Sequence, residues 1–332
     1  MKIRITGHDG EAVFPFGNDG PWVEFKKIVL QQGHNICSSD YSEPADAIIA
    51  NSFNSEISKY IEFSKIPIEK RILVLWEPYI VDKSRYSRNV LTKFGKIYAP
   101  SIQWAEKVNA LNFNWPQSRL DSEAIFIDWN KRINRAVMIQ GNKFSARKGE
   151  LYTLRRNVLK NLNDKEIDLY GTDWNRGLKF DFSHWAKSFS MSNFLEIDLK
   201  SILGVGRNYT NYLGRAEDKK LVLQNYRVSI VIENSADYVS EKLFHSVNAG
   251  CVTIYIGPSL EKYEIPGESA IICQPDTQAI VAKIRELLAL PENVLQQIAL
   301  SQKKHLGKVA QFWENNYVLK NLAKNMLSNL QL

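Results

Sequence analysis

Cysteine is scarce in this chain of 332 residues: Cys37, Cys251 and Cys273 lie far apart and form no Cys-x-x-Cys pair. That excludes a disulfide scaffold and a thiolate zinc site. Each lies in or beside an apolar stretch, where a small buried side chain fits. The five histidines, His8, His34, His184, His245 and His305, are dispersed, and there is no Asp-x-Asp element, so no metal is expected. No run of about 18 apolar residues exists, hence no transmembrane helix is expected. The chain opens on a strand-like run, residues 1–6, without a signal-peptide pattern. A cytoplasmic protein is therefore expected, either free or working at the inner face of the membrane. Zinc-finger spacing, an aromatic single-strand platform and a recognition-helix motif are missing too. Nucleic acid is thus not expected as a partner, although the formal net charge is +7.

What is present is the composition of a folded globular protein, 44% hydrophobic and 24% charged, long enough for two α/β domains. Apolar runs at 3–7, 45–50, 71–76 and 96–99 read as buried strands, the last two ending at Glu77-Pro78 and Pro100. Residues 21–32 read as a helix stopped by Gly33. The rhythm restarts with strands at 136–139, 167–171, 226–232, 252–256 and 270–273. Helices are expected at 148–162, 239–249 (closed by Gly250) and 278–290. Alternation of this kind predicts parallel sheets covered on both faces. The domains expected are 1–132 and 133–310. A C-terminal helix, 311–332, would either pack across the two domains or contact a membrane surface. Ligands of such sheets sit beyond the carboxyl ends of the strands, where Glu77 and Glu233 fall.

The segment Glu233-Asn234-Ser235-Ala236-Asp237-Tyr238-Val239-Ser240-Glu241-Lys242 joins a strand to a helix. A helix start offers backbone amides to an anion, Lys242 adds charge for a diphosphate, and Glu241 can accept from sugar or ribose hydroxyls. Tyr238 is spaced to share a helix face with Glu241 or Lys242. A purely structural reading stands beside this one: Asp237 as the helix N-cap, with Glu241 and Lys242 on a solvated face.

Residues 226–243, continuing through Asn248-Ala249-Gly250, Val252 and Gly257-Pro258, resemble the signature of the α1,3/α1,4-fucosyltransferase family. The resemblance implies a GT-B fold, two Rossmann-like domains facing a central cleft, with the donor held mainly by the second. It implies inverting transfer of fucose from GDP-fucose to a glycan hydroxyl, α1,3-linked on a bacterial surface polysaccharide or glycolipid, with no cofactor required. Asn234, Tyr238, Glu241 and Lys242 would line the donor pocket. Arg155 matches the family's diphosphate arginine, with Arg156 and Arg147 as alternatives. Leu75-Trp76-Glu77-Pro78 resembles the segment carrying the catalytic carboxylate, which makes Glu77 the general base. Two further readings stay open: a related transferase using another nucleotide sugar, and an inactive glycan- or nucleotide-binding protein.

Overall fold

The computed structural model describes residues 1–6, 21–37, 43–117, 129–145, 147–175 and 209–331. The chain forms two compact units, one of residues 1–119 with 310–332, the other of residues 120–309.

The first unit holds strands β1 (Lys2–Thr6), β2 (Asn35–Cys37), β3 (Ala47–Ala50), β4 (Arg71–Val74), β5 (Lys96–Ala99) and β6 (Leu111–Asn112). They lie in the order β2-β1-β3-β4-β5-β6, every pair parallel. Its helices are α1 (Pro21–Gln31), α2 (Ser55–Phe63), α3 (Arg88–Leu91), α4 (Ile102–Lys107) and the C-terminal α10 (Asn315–Gln331). All four residues of β3 are buried, because alternate side chains enter two cores. Ala47 and Ile49 meet Val29 of α1 and a helical stripe on α10: Val318, Leu319, Leu322, Ala323, Met326, Leu327 and Leu330. Ile48 and Ala50 face α2 and α4 through Ile57, Tyr60, Ile61 and Ala105. Of the apolar positions that the sequence offered for a membrane surface or a domain crossing, Val318, Leu319, Leu322, Met326 and Leu330 lie inside the first unit, whereas Phe312 and Tyr317 are exposed. Gln117 fastens the return of the chain, donating N–H to Trp313 O at 2.7 Å and accepting from Asn315 N at 2.8 Å.

The second unit holds β7 (Ile133–Ile139), β8 (Ile167–Tyr170), β9 (Tyr226–Ile232), β10 (Val252–Ile256) and β11 (Ile271–Ile272), in the parallel order β11-β10-β9-β7-β8. Its helices are α5 (Tyr152–Asn161), α6 (Lys219–Gln224), α7 (Glu241–Asn248), α8 (Thr277–Leu288) and α9 (Glu292–Gly307). Ala136, Met138, Ile230 and Ile232 pack against α5 and α8. Val137, Tyr226 and Cys251 pack against Leu223 of α6 on the other face. The chain leaves β7 for β8 on one side and comes back to lay β9 on the other. The carboxyl ends of β7 and β9 therefore form the switch point where open α/β sheets bind ligands. Gln140 and Glu233 stand there.

The parallel α/β architecture is the one the alternation predicts, and β9 and β10 run over the expected residues. The C-terminal helix expected over 311–332 is α10, entered through a short turn at Ala310–Phe312, and a further helix, α9, precedes it. The chain passes from the second unit to the first at residues 309–310.

Candidate functional site

The segment after β9 is organised by a buried carboxylate. Glu233 continues the ladder, its N–H donating to Ile256 O at 2.8 Å, and its side chain is fully buried. Oε1 accepts from Ser240 N at 2.9 Å, and Oε2 accepts from Ser240 Oγ at 2.7 Å and Lys242 Nζ at 3.3 Å. The Lys242 ammonium also donates to Ser240 Oγ at 2.9 Å, while 17% of its side chain stays exposed. A buried carboxylate persists only with such partners. Behind it sits Gly257: a Cβ there would lie 2.5 Å from Tyr255 Oη and 2.9 Å from Glu233 Cγ. Burial and the Glu233 charge hold the Tyr255 phenol well above its ordinary range.

Arg155 is 1% exposed. Its Nε and Nη2 donate to Ile232 O at 3.1 and 2.6 Å, Nη2 to Asn234 Oδ1 at 2.9 Å, and Nη1 to Gly141 O at 3.3 Å. The guanidinium stacks over Tyr152, 4.9 Å from the ring centre. Asn234 in turn donates through Nδ2 to Tyr238 Oη at 2.9 Å. Arg155 therefore spends its fork on the ends of β7 and β9 and aligns the Asn234–Tyr238 pair. Arg156 is equally buried, donating to Lys143 O at 2.8 Å and Thr153 Oγ1 at 3.0 Å. Burial lowers the pKa of both arginines. Arg147 is the partly exposed member of the three, in the turn closed by Glu150 N to its carbonyl at 3.2 Å.

The N-cap of α7 is Ser240, with an extended backbone (φ −106°, ψ −179°), rather than Asp237. Asp237 accepts instead from Ser235 Oγ, and its carbonyl from Tyr263 Oη at 2.5 Å. Tyr238 consequently lies in the loop, not on the helix, and Asn234 positions it rather than an i, i+3 or i, i+4 relation. Glu241, in the first turn, lies 3.7 Å from Lys219 of α6. Burial raises its pKa, but the charges of Lys242 and Lys219, the helix-start backbone and His245 outweigh that and hold the carboxyl at about 2. Burial lowers the His245 pKa, against the opposing pull of the Glu241 charge.

Glu77 belongs to the first unit, beyond the end of β4. Tyr86 Oη donates to its carbonyl at 2.9 Å, fixing the backbone. Its half-buried carboxylate has no hydrogen bond or ion pair among the described residues. Trp76 before it donates Nε1–H to Asn51 Oδ1 at 2.7 Å and meets Trp115 edge-on at 5.6 Å. Tyr79 after it stacks on Trp104 at 4.0 Å. Among the described residues no group of His, Cys, Asp or Glu gathers in a way that could hold a metal ion, and no helix is long and apolar enough to cross a membrane.

No family model matches the sequence, and no curated protein matches it. Solved structures do. The chain is similar to Anabaena Alr3699/HepE, crystallised with UDP and glucose, at TM-score 0.56 and 12% identity over 99% of this chain and 100% of that one. It matches an α1,3-fucosyltransferase at TM-score 0.54 and 14% identity over 100% of this chain and 89% of that one. The chain has the GT-B glycosyltransferase fold. A glycosyltransferase from Rickettsia africae ESF-5 shares this GT-B likeness, at TM-score 0.54 and 12% identity over 99% and 98% of the two chains.

Of the residues the sequence pointed to, Arg155 bonds Asn234 and Asn234 bonds Tyr238, Lys242 is set on Glu233, and Glu241 faces Lys219. Ser240, Lys219 and the buried role of Glu233 were not singled out. Their partners are separated by seven to 22 positions in the chain, and no local periodicity reports such pairs.

Proposed function

We propose that this protein is an inverting glycosyltransferase that moves fucose from GDP-fucose to a hydroxyl of a glycan acceptor, α1,3-linked, on a bacterial surface polysaccharide or glycolipid. The observation that carries the reading is the Glu233–Lys242 segment at the switch point of a GT-B unit, where an ammonium is held rigidly at a helix start. In this reading Lys242 faces the donor diphosphate with Arg147, the more exposed of the candidate arginines. Arg155 serves as a positioning residue for Asn234 and Tyr238. Glu241, ionised down to about pH 2, accepts hydrogen bonds from donor hydroxyls. Cations and amides preorganised around the leaving diphosphate stabilise the charge that develops as the glycosidic bond breaks. Glu77, held by its backbone, takes the proton of the attacking acceptor hydroxyl, and attack opposite the leaving group inverts the anomeric centre. No metal or other cofactor is assigned a role.

The Anabaena protein's complex with UDP and glucose supports a second reading, the same chemistry with a different nucleotide sugar. A panel of GDP- and UDP-sugars against an acceptor array separates the two, with product linkage and anomeric configuration determined by NMR. Transfer from GDP-fucose with inversion supports the first reading. Transfer from a UDP-sugar alone supports the second, and donor binding without transfer to any acceptor contradicts both.

A further inference from the structure

Among the described residues the half-buried Glu77 carboxylate has no hydrogen bond or ion pair, so the backbone that carries it sets its direction. The residues on either side of that backbone are tied into a closed ring. Its hub is Asn51, which follows β3 and is 2% exposed. The Asn51 N–H donates to Thr6 Oγ1 at 3.1 Å and its Nδ2 to Thr6 O at 2.6 Å, which joins it to the end of β1. Its Oδ1 accepts from Trp76 Nε1 at 2.7 Å, beyond the end of β4. Its carbonyl accepts from Arg85 Nη1 at 2.9 Å, while Arg85 Nε bonds Asp82 Oδ2 at 2.6 Å. Tyr86, next to Arg85, then donates to Glu77 O at 2.9 Å.

The ring thus runs from Trp76 through Asn51, Arg85 and Tyr86 and closes on Glu77. Its hydrogen bonds span 25, 34 and nine positions of the chain, so no local turn dictates them. Asn51, Arg85 and Tyr86 are buried, and a satisfied buried network of this kind holds one arrangement. Two further restraints act on the same stretch. Phe113 and Trp115 meet the Trp76 ring edge-on at 5.1 and 5.6 Å, and Pro78 restricts the residue before it to extended backbone. Such rigidity matters at a base more than elsewhere. A carboxylate takes a proton only within hydrogen-bond reach of the hydroxyl, and a misplacement of about 1 Å can cost about 10²-fold in rate.

We propose that Asn51, Trp76, Arg85 and Tyr86 are positioning residues, a ring that fixes the Glu77 backbone so that its carboxylate meets the acceptor hydroxyl. This rests on the reading of Glu77 as the general base and adds to it the residues that aim the base. Their action passes through Glu77 alone.

The ring can be cut on either side of Glu77 in the full chain. Trp76→Phe removes the indole N–H and keeps a ring against Phe113 and Trp115, and Tyr86→Phe removes one hydroxyl. Tyr60→Phe serves as the comparison, since it deletes a hydroxyl of the same unit that lies outside the ring and donates to Glu43 O at 2.9 Å. Transfer is measured at saturating donor, with GDP-fucose and UDP-glucose against an array of oligosaccharide acceptors, and GDP and UDP binding by calorimetry. Each ring variant is expected to transfer about tenfold more slowly with nucleotide binding unchanged. Tyr60→Phe should transfer at the natural rate, although it too loses a hydrogen bond. In a Glu77→Gln background the ring cuts should cost nothing further, because residues that act as a unit are not additive. Natural-rate transfer by the folded ring variants overturns the proposal. So does an equal loss in Tyr60→Phe, or the same loss repeated in the Glu77→Gln background, since either marks a structural role only. If Trp76→Phe does not fold, Tyr86→Phe is read by the same criteria. Natural-rate transfer by Glu77→Gln, or no transfer from either donor by the natural chain, sinks the reading of Glu77 and the ring with it. A slow Glu77→Gln beside harmless ring cuts sinks only the role of the ring.

Discussion

Lys242 has its ammonium within reach of a fully buried carboxylate, 3.3 Å from Glu233 Oε2, yet keeps 17% of its side chain exposed. The pair holds the cation in one place, and the exposure leaves it a ligand to meet. Lys242→Met should therefore do two things at once. It should weaken donor binding, and it should lower stability by about 1–3 kcal/mol by leaving Glu233 less compensated. Adding Glu233→Gln to Lys242→Met should recover part of the stability and none of the donor affinity, which urea denaturation beside titration calorimetry would separate. Glu77 behaves differently, because its carboxylate makes no hydrogen bond or ion pair among the described residues. Glu77→Gln should leave the melting temperature within a degree or two and cut transfer by about 10²–10⁴-fold. Near-natural turnover in that folded variant would remove Glu77 from the mechanism. Glu241 ties charge to pH. Its carboxyl is held at about 2 against an ordinary 4.5, so the folded state binds fewer protons between those values. Its stabilisation is whole above pH 4.5 and is lost as the pH falls toward 2. The stability gap between the natural chain and Glu241→Gln, measured in urea at a series of pH values, should accordingly close on acidification.

Elements fix what the residues alone cannot. Gly257 follows β10 where a side chain would strike Tyr255 and Glu233, so Gly257→Ala should destabilise the second unit by about 1–3 kcal/mol and disturb the Lys242 position with it. Thermal unfolding together with donor titration would show both losses. The β9–loop–α7–β10 run was largely legible in the sequence. Tyr226–Ile232 and Val252–Ile256 are apolar runs bounded by Glu233-Asn234 and Gly257-Pro258, and burial on both faces leaves such strands no alternative. The start of α7 was less legible. Asp237 and Ser240 are both good caps by composition, and the choice fell to Ser240 because Glu233 grips its N–H and hydroxyl from across the loop. The helix α9, Glu292–Gly307, was obscured by its polar residues; only Leu295, Ala299, Gln302 and Leu306 are buried. Arg155 was matched to a diphosphate arginine through the family resemblance; in the fold it is buried and donates to carbonyls at two strand ends.

The whole molecule is two units, the first of them closed by both ends of the chain. Seven side chains of α10 enter the core beneath β1 and β3. Their burial is worth several times about 1.5 kcal/mol, comparable with the entire stability of a domain. A chain ending at residue 312 should lose the folded first unit, seen as loss of its cooperative unfolding transition. On the proposed function, the GT-B frame carries nucleotide-sugar transfer driven from the Glu233–Lys242 segment. Single-turnover transfer from GDP-fucose to an acceptor array by the natural chain, Lys242→Met and Glu77→Gln tests it most directly. The natural chain should give an inverted product, the lysine variant weakened donor saturation, and the glutamine variant intact donor binding with little transfer. Transfer that is indifferent to both substitutions would contradict it.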